Sequence, residues 1–416
     1  MSSVLARVLL LLSAAALTSN PGLALQSQSP NVIHVDDDGG QGIDFTSIAA
    51  AVEAAGESEL VIVHEGTYGS FLVSNKSVRV VAAGDGPVVV AGNARIQFLN
   101  GAQQVVLRGL IGPTDGDAFT ITLFQNFGRI LVEDCVVGPR AGSSSSFPAL
   151  SSSGDTSVGL VRSRFRGGSL LPQIGAGGGH GQPGVDAVAS NLWCYDSTFI
   201  GGPGIGPGSP GGAGMRYSNF ELFIAGCVFR GGDGAPGTCD VDAGAGGNGL
   251  DQLGFVTNVH ARANRFAGGE GGAAGCASSP SGVGRFIGEG ANTYTVVGSE
   301  NRTFASSEPV GPGEPLVVSF DAPATDEIVL FANTLQGVAQ LYGAGGVGLL
   351  QFPANQIWRG PAGASGQWSL PSATQLLPPG WESLTLYLQP LFLSVNGAAI
   401  LGPASAAVIL ESPLGG

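Results

Sequence analysis

Lysine is almost missing from this chain. Of 17 basic residues among 416, Lys76 is the single lysine, so a lysine base or Schiff-base mechanism has one candidate, and nothing in the sequence around it marks it for that work. Charge of either sign is scarce, at 12% of residues against roughly a quarter in ordinary domains. What charge there is leans acidic, with a formal net charge of −14 and a pI near 4.6. That balance excludes nucleic acid as a partner, because such binding is dominated by a basic surface. Unbroken apolar runs of membrane-spanning length are missing as well. The uncharged segment LFLSVNGAAILGPASAAVIL (391–410) is long enough, but Asn396-Gly397, Gly402-Pro403, Ser394 and Ser405 interrupt it, and Asn-Gly between apolar runs predicts strands joined by a tight turn.

Glycine, by contrast, is abundant at 70 residues, and the hydrophobic fraction of 43% is too high for a disordered polymer. The chain therefore folds, with glycine expected in turns and loops. The opening MSSVLARVLLLLSAAALTSNPGLALQ has one cation, an apolar run shorter than a membrane span, and small residues near Ala24. This is the layout of a signal peptide over residues 1–24, which predicts a secreted or cell-surface (extracellular or periplasmic) protein with no membrane span in the mature chain.

Five segments align on a terminal apolar residue: ILVEDCVV (130–137), VGLVRSRF (158–165), LWCYDSTF (192–199), LFIAGCVF (222–229) and VHARANRF (259–266). The last position holds Val137, Phe165, Phe199, Phe229 and Phe266. Seven residues earlier stand Ile130, Val158, Leu192, Leu222 and Val259, and five earlier Val132, Leu160, Cys194, Ile224 and Ala261. Two before the end come Cys135, Ser163, Ser197, Cys227 and Asn264, all small and weakly polar. Offsets seven and five share one strand face, as do zero and two, and the change of parity between them demands a bend. A strand, a bend, a second strand and a loop, repeated every 28 to 37 residues, is a solenoid whose rounds stack like on like. The Cys/Ser/Asn column then forms an internal ladder. Paired glycines after the aromatic residue let the chain leave the sheet, and tracts such as GGPGIGPGSPGG are insertions on one edge.

Cys239 follows Phe229 by ten residues and Cys276 follows Phe266 by ten, so both occupy one place on consecutive rounds. Strands about 4.8 Å apart bring such positions within disulfide range, and a Cys239–Cys276 bridge is expected.

The segment IHVDDDGGQGIDFTSIAAAVEAAGESELVIVHEGTYGSFLV (33–73) resembles the entry of right-handed parallel β-helix proteins of the pectinesterase and pectate-lyase type. The resemblance implies an all-β fold: a right-handed parallel β-helix, entered through a short helix at Phe45–Ala55 that covers the open end of its core. It does not carry chemistry. Gly69-Ser70 stands where such an esterase continues with glutamate, and the paired-carboxylate segments are missing. Gly179-His180-Gly181 is similar to the Gly-His-Gly of polygalacturonases but lacks its partner segments and reads as loop filler.

Between the inward positions fall Glu133, Asp134, Arg162, Arg164, Trp193, Tyr195, Asp196, His260, Arg262 and Arg265. The alternation places them on one external face, where aromatic rings can stack on sugars and arginines pair with uronate or sulfate. Glu133, Asp134, Arg164, Trp193, Tyr195, His260 and Arg265 are the ligand-binding candidates. Arg162, Asp196 and Arg262 are the catalytic candidates if the face eliminates or hydrolyses, since a lyase needs a base and a charge neutraliser. Cross-round ion pairing is the competing reading of the same residues. Asp233, Asp240, Asp242, Asp251 and Glu270 could ligate calcium, although their spacing matches no calcium loop.

After Thr303 alternating strands between Gly/Pro turns predict an antiparallel β-sandwich, similar to terminal β-domains of secreted bacterial proteins. The expected organisation is a signal peptide (1–24), a β-helix (31–303) and a C-terminal sandwich (304–416). The functional expectation is a module binding extracellular polysaccharide or a cell-surface component. A divergent polysaccharide lyase or carbohydrate esterase is the alternative, and a structural envelope protein the second.

Overall fold

In the computed structural model, the structure describes residues 31–113, 118–139, 147–170, 179–218, 220–238, 240–253, 257–273, 285–286, 293–296, 302–307, 309–340, 344–345, 347–351, 354–362, 366–370, 377 and 381–411. The described residues are all-β apart from one short helix, and the chain divides into two compact units, Ile33–Ser299 and a second made chiefly of Glu300–Gly416.

The first unit consists of three large parallel sheets. A first sheet of ten strands runs in chain order from Val32–Val35 to Thr293–Val296. A second of eight runs from Gly66–Tyr68 to Arg265–Ala267, and a third of eight from Phe71–Ser74 to Arg285–Phe286. Each round of the chain adds one strand to the first sheet, one to the second and one to the third, so spatial neighbours are always consecutive rounds.

The register follows the sequence columns. Ile130, Val158, Leu192, Leu222 and Val259 are in-register neighbours across five strands, as are Val132, Leu160, Cys194, Ile224 and Ala261. In the second sheet Phe165, Phe199, Phe229 and Phe266 stack with ring centroids 5.6, 4.9 and 5.0 Å apart. These residues fill one continuous core. The small-residue column is a ladder: the amide of Cys135 donates to Ser163 Oγ at 3.0 Å, that of Ser163 to Ser197 Oγ at 3.1 Å, and that of Cys227 to Asn264 Oδ1 at 2.9 Å.

The bend between the first and second sheets is a column of left-handed residues: Gly109, Asp134, Arg162, Asp196, Gly226 and Ala263, with φ of 75°, 53°, 45°, 49°, 65° and 50°. One residue in that conformation redirects a strand without breaking the stack.

The glycine tracts are not loops. Amides of Gly231, Gly234 and Gly237 donate to the carbonyls of Ala267, Glu270 and Ala273 at 2.9, 2.8 and 3.1 Å, a period of three that matches polyproline-II geometry rather than a strand or a turn. Gly211 and Gly214 repeat the pattern on Ala245 and Asn248. In a second set, amides of Gly212, Gly232, Gly247 and Gly269 donate in succession to the carbonyls of Gly202, Gly212, Gly232 and Gly247, each at 2.8 Å. Glycine is required here by contact, because a methyl group at Gly202 would overlap the carbonyl of Gly168. The expectation of glycine in turns and loops is corrected for these residues: the backbones of the edge insertions bond to one another where side chains would hold them apart.

The helix Ile48–Ala54 opens with Ser47, whose Oγ accepts from the Ala50 amide at 3.2 Å, and buries Ile48, Ala51 and Val52. Lys76 closes it, donating to the carbonyls of Val52, Glu53 and Ala55 at 2.8, 3.1 and 2.8 Å. The lone lysine is a C-terminal helix cap.

Among the described residues of the second unit the strands pair antiparallel, apart from the short parallel pair of Ala344–Gly345 with Ala399–Leu401 and an isolated parallel bridge between Val310 and Ile409: Thr303–Ser306, Leu316–Asp321 and Gln367–Leu370 form one sheet, and Glu327–Asn333, Asn355–Pro361, Ser383–Leu393, Ala399–Leu401 and Ser405–Leu410 belong to another. Asn396-Gly397 turns the chain, with Gly397 at φ 80°. Among the described residues no helix is long and apolar enough to cross a membrane.

Candidate functional site

The candidate face divides into a buried part and an exposed part. On the first sheet Trp193, Tyr195 and Arg262 are only 3%, 1% and 1% exposed, and Glu133 is fully buried. Tyr195 lies against Phe223 with ring centroids 5.3 Å apart, and Trp193, Phe223 and half-buried His260 are in-register neighbours. The expectation of an open aromatic face is corrected at these positions. Alternation assigned the correct side of the strand, but both sides of the first sheet are covered, as is usual for parallel sheets.

Glu133, Asp134 and Arg162 do come together, as an ion cluster. Arg162 Nε donates to Asp134 Oδ1 at 2.9 Å and Nη2 to Asp134 Oδ2 at 3.0 Å, while Nη2 also reaches Glu133 Oε1. Arg108 lies 3.5 Å from Asp134 on the preceding round. Burial pulls the Arg162 guanidinium down, but the charges of Glu133 and Asp134 more than offset this and hold it above the ordinary arginine value. Arg162 is thus committed to structure. Asp196, the next residue in the same corner column, is only partly buried, while Arg262 is buried and stands in the strand column of Val161, Tyr195 and Ala225.

Arg164 and Arg265 are exposed, and they are not on the first sheet. They stand on one outward row of the second sheet with Val136, Thr198 and Val228. The neighbouring outward row holds Arg166, Ile200, Arg230 and Ala267. Arg166 and Arg230 were not among the sequence candidates, although each directly follows the aligned phenylalanine and so shares the outward parity of Arg164 and Arg265. Arg230 approaches Asp233 at 3.8 Å, and among the described residues no carboxylate pairs with Arg164, Arg166 or Arg265. Burial, then the charges of Arg164 and Arg230, press the Arg166 guanidinium below its ordinary value, so the three side chains share one field.

The calcium candidates do not converge. Asp233 accepts from the Glu270 amide at 2.9 Å, Asp240 and Asp242 are exposed, and Asp251 sits on the third sheet in register with Arg216. Burial raises the Asp251 carboxyl. Among the described residues no three His, Cys, Asp or Glu side chains surround a common point. The Cys239–Cys276 pairing lies outside the described residues. Cys135, Cys194 and Cys227 are buried free thiols, and burial raises Cys135 and Cys227 to about 12.

One cluster escaped sequence reasoning entirely. His64 Nδ1 lies 2.6 Å from Asp85 Oδ2, and His64 Nε2 lies 3.2 Å from His34 Nδ1. Tyr68, its hydroxyl raised to about 12 by burial and then by the charges of Asp37, Asp36 and Asp85, donates to the His64 carbonyl at 2.9 Å. The members come from successive rounds, and no spacing rule links them.

Comparison with known proteins finds no matching family model, no similar curated protein and no similar solved structure.

Proposed function

We propose that this chain is an exported right-handed parallel β-helix protein that binds an extracellular polysaccharide along an outward sheet face. The stacked three-sheet architecture supports the β-helix, and the apolar face of the helix Ile48–Ala54, packed on the core, supports its role as the cover of the open end. The paired antiparallel sheets after residue 300 support a C-terminal sandwich. Export rests on the layout of residues 1–24.

The observation that carries the binding reading is the second sheet: its outward rows are partly to fully exposed, in register from round to round, and repeat at about 4.8 Å, which suits a ligand that is itself a repeating chain. The enzymatic alternative, a divergent polysaccharide lyase or carbohydrate esterase, is less well supported, since Arg162 is held by two carboxylates and Arg262 is buried.

Size-exclusion chromatography of alginate, pectin and dextran, before and after incubation with the protein, tests the reading. Co-elution of intact polymer with protein is the expected result. Shortened polymer would favour the enzyme, and polymer that neither shortens nor co-elutes would leave the structural envelope role.

A further inference from the structure

The second sheet collects arginine in a chain that can spare little of it. Arg164, Arg166, Arg230 and Arg265 occupy two adjacent outward rows, while the whole chain carries a net charge of −14. Like charges gathered on one sheet face repel one another, and an anion lying across them relieves that repulsion. Among the described residues the one carboxylate within ion-pair distance is Asp233, at 3.8 Å from Arg230 with both side chains at least half exposed, which is a weak contact.

Spacing indicates what kind of anion fits. Arg164 and Arg166 lie about 6.6 Å apart along one strand, Arg166 and Arg230 two strands or about 9.6 Å apart, and Arg164 and Arg265 three strands or about 14 Å apart. Between them one row carries Thr198 and Val228 and the other Ile200, so uncharged steps separate the cationic ones across the strands. No single small anion spans these four groups. A linear polymer with charges several ångströms apart does, lying across the strands and parallel to the stack.

We infer that the ligand of this face is an acidic glycan, a uronate- or sulfate-bearing chain that crosses the strands of the second sheet and pairs with Arg164, Arg166, Arg230 and Arg265. This rests on the polysaccharide reading above and adds the charge class, the face and the direction. Burial first, and then the charges of Arg164 and Arg230, lower the Arg166 guanidinium, and an arriving anion relieves the second of these. A nucleic acid fits less well. Its charges are far denser, about one per 1.7 Å of duplex, and would meet the −14 chain, while single strands are held by aromatic stacking and neither row contains an aromatic residue.

The test measures binding of alginate, dextran sulfate, plain dextran and a DNA duplex to the full chain by biolayer interferometry at low and high salt. Alongside go Arg164→Gln/Arg166→Gln and Arg230→Gln/Arg265→Gln, with Arg95→Gln on the third sheet as control. The expected result is binding of both acidic glycans but not dextran, weakening as salt screens the charges, with about tenfold loss in each double variant and none in the control. Dextran binding as tightly as the acidic glycans, or double variants binding like the parent chain, would overturn the inference while leaving a polysaccharide module standing. DNA held more tightly than the glycans would overturn the choice of polymer. No binding by any glycan would remove both readings. Circular dichroism of the variants separates lost binding from lost fold.

Discussion

The amide of Gly232 donates to the carbonyl of Gly212 at 2.8 Å, while its Cα faces the carbonyl of Gly202 so closely that a methyl group would overlap it. Backbone meets backbone on two sides of one residue. Gly232→Ala is expected to destabilise the first unit by about 3 kcal/mol, the upper end for forcing one carbon into a packed interior. Hydrogen exchange offers a second check, with slow exchange expected at the amides of Gly212, Gly232 and Gly247; rapid exchange there would contradict the bonded arrangement.

Phe199 lies between two rings at 5.6 and 4.9 Å and is fully buried. Phe199→Ala should cost about 3 to 5 kcal/mol, read from the shift in denaturant midpoint. Phe266, at the edge of the stack and only partly buried, should cost less when truncated.

Removing Arg162 takes one counter-charge away from fully buried Glu133. Arg162→Met is expected to destabilise by about 3 to 5 kcal/mol, and adding Glu133→Gln should recover much of the loss. A double variant no more stable than the single one would show that the charge pair is not what matters at this corner.

Asp155 is 2% exposed and accepts from the Asn126 amide at 2.9 Å, Asn126 Nδ2 at 2.8 Å and Ser152 Oγ at 2.6 Å. Burial nevertheless raises its carboxyl above the ordinary value. A raised acid favours folding most below the unfolded-state value, and that contribution is lost as pH rises through the folded-state value. Stability should therefore fall as pH climbs out of the usual carboxylate range, and Asp155→Asn should flatten the dependence. Chemical denaturation across pH 4 to 8 is the measurement; an unchanged slope in the variant would assign the effect elsewhere.

The thiols of Cys135 and Cys227, raised to about 12 and buried, should resist iodoacetamide at pH 8 in the native protein and react after unfolding, as peptide mapping would show.

The interior was readable in the sequence because stacked rounds repeat inward residue types at fixed offsets, which is how the Ile130, Val132 and Val137 columns emerged. Parity also found Arg164 and Arg265. It misjudged Trp193 and Tyr195, since alternation reports which side of a strand a residue occupies and not whether that side is covered. The continuous apolar runs Leu-Trp-Cys-Tyr and Leu-Phe-Ile-Ala were the available warning. The glycine tracts misled for a different reason: a three-residue period is invisible to helix and strand templates. His34, His64 and Asp85 meet only because three rounds stack, and local sequence holds no record of that.

The left-handed corner column fixes the span between first and second sheets to one length in every round it serves, so the differences in round length fall on the return toward the third sheet. The molecule thereby separates a ruler from a reservoir. A change of round length is absorbed beyond the second sheet only where the bonded glycine backbones are spared, whereas one residue inserted between Val132 and Val137 would turn the remaining strand inside out.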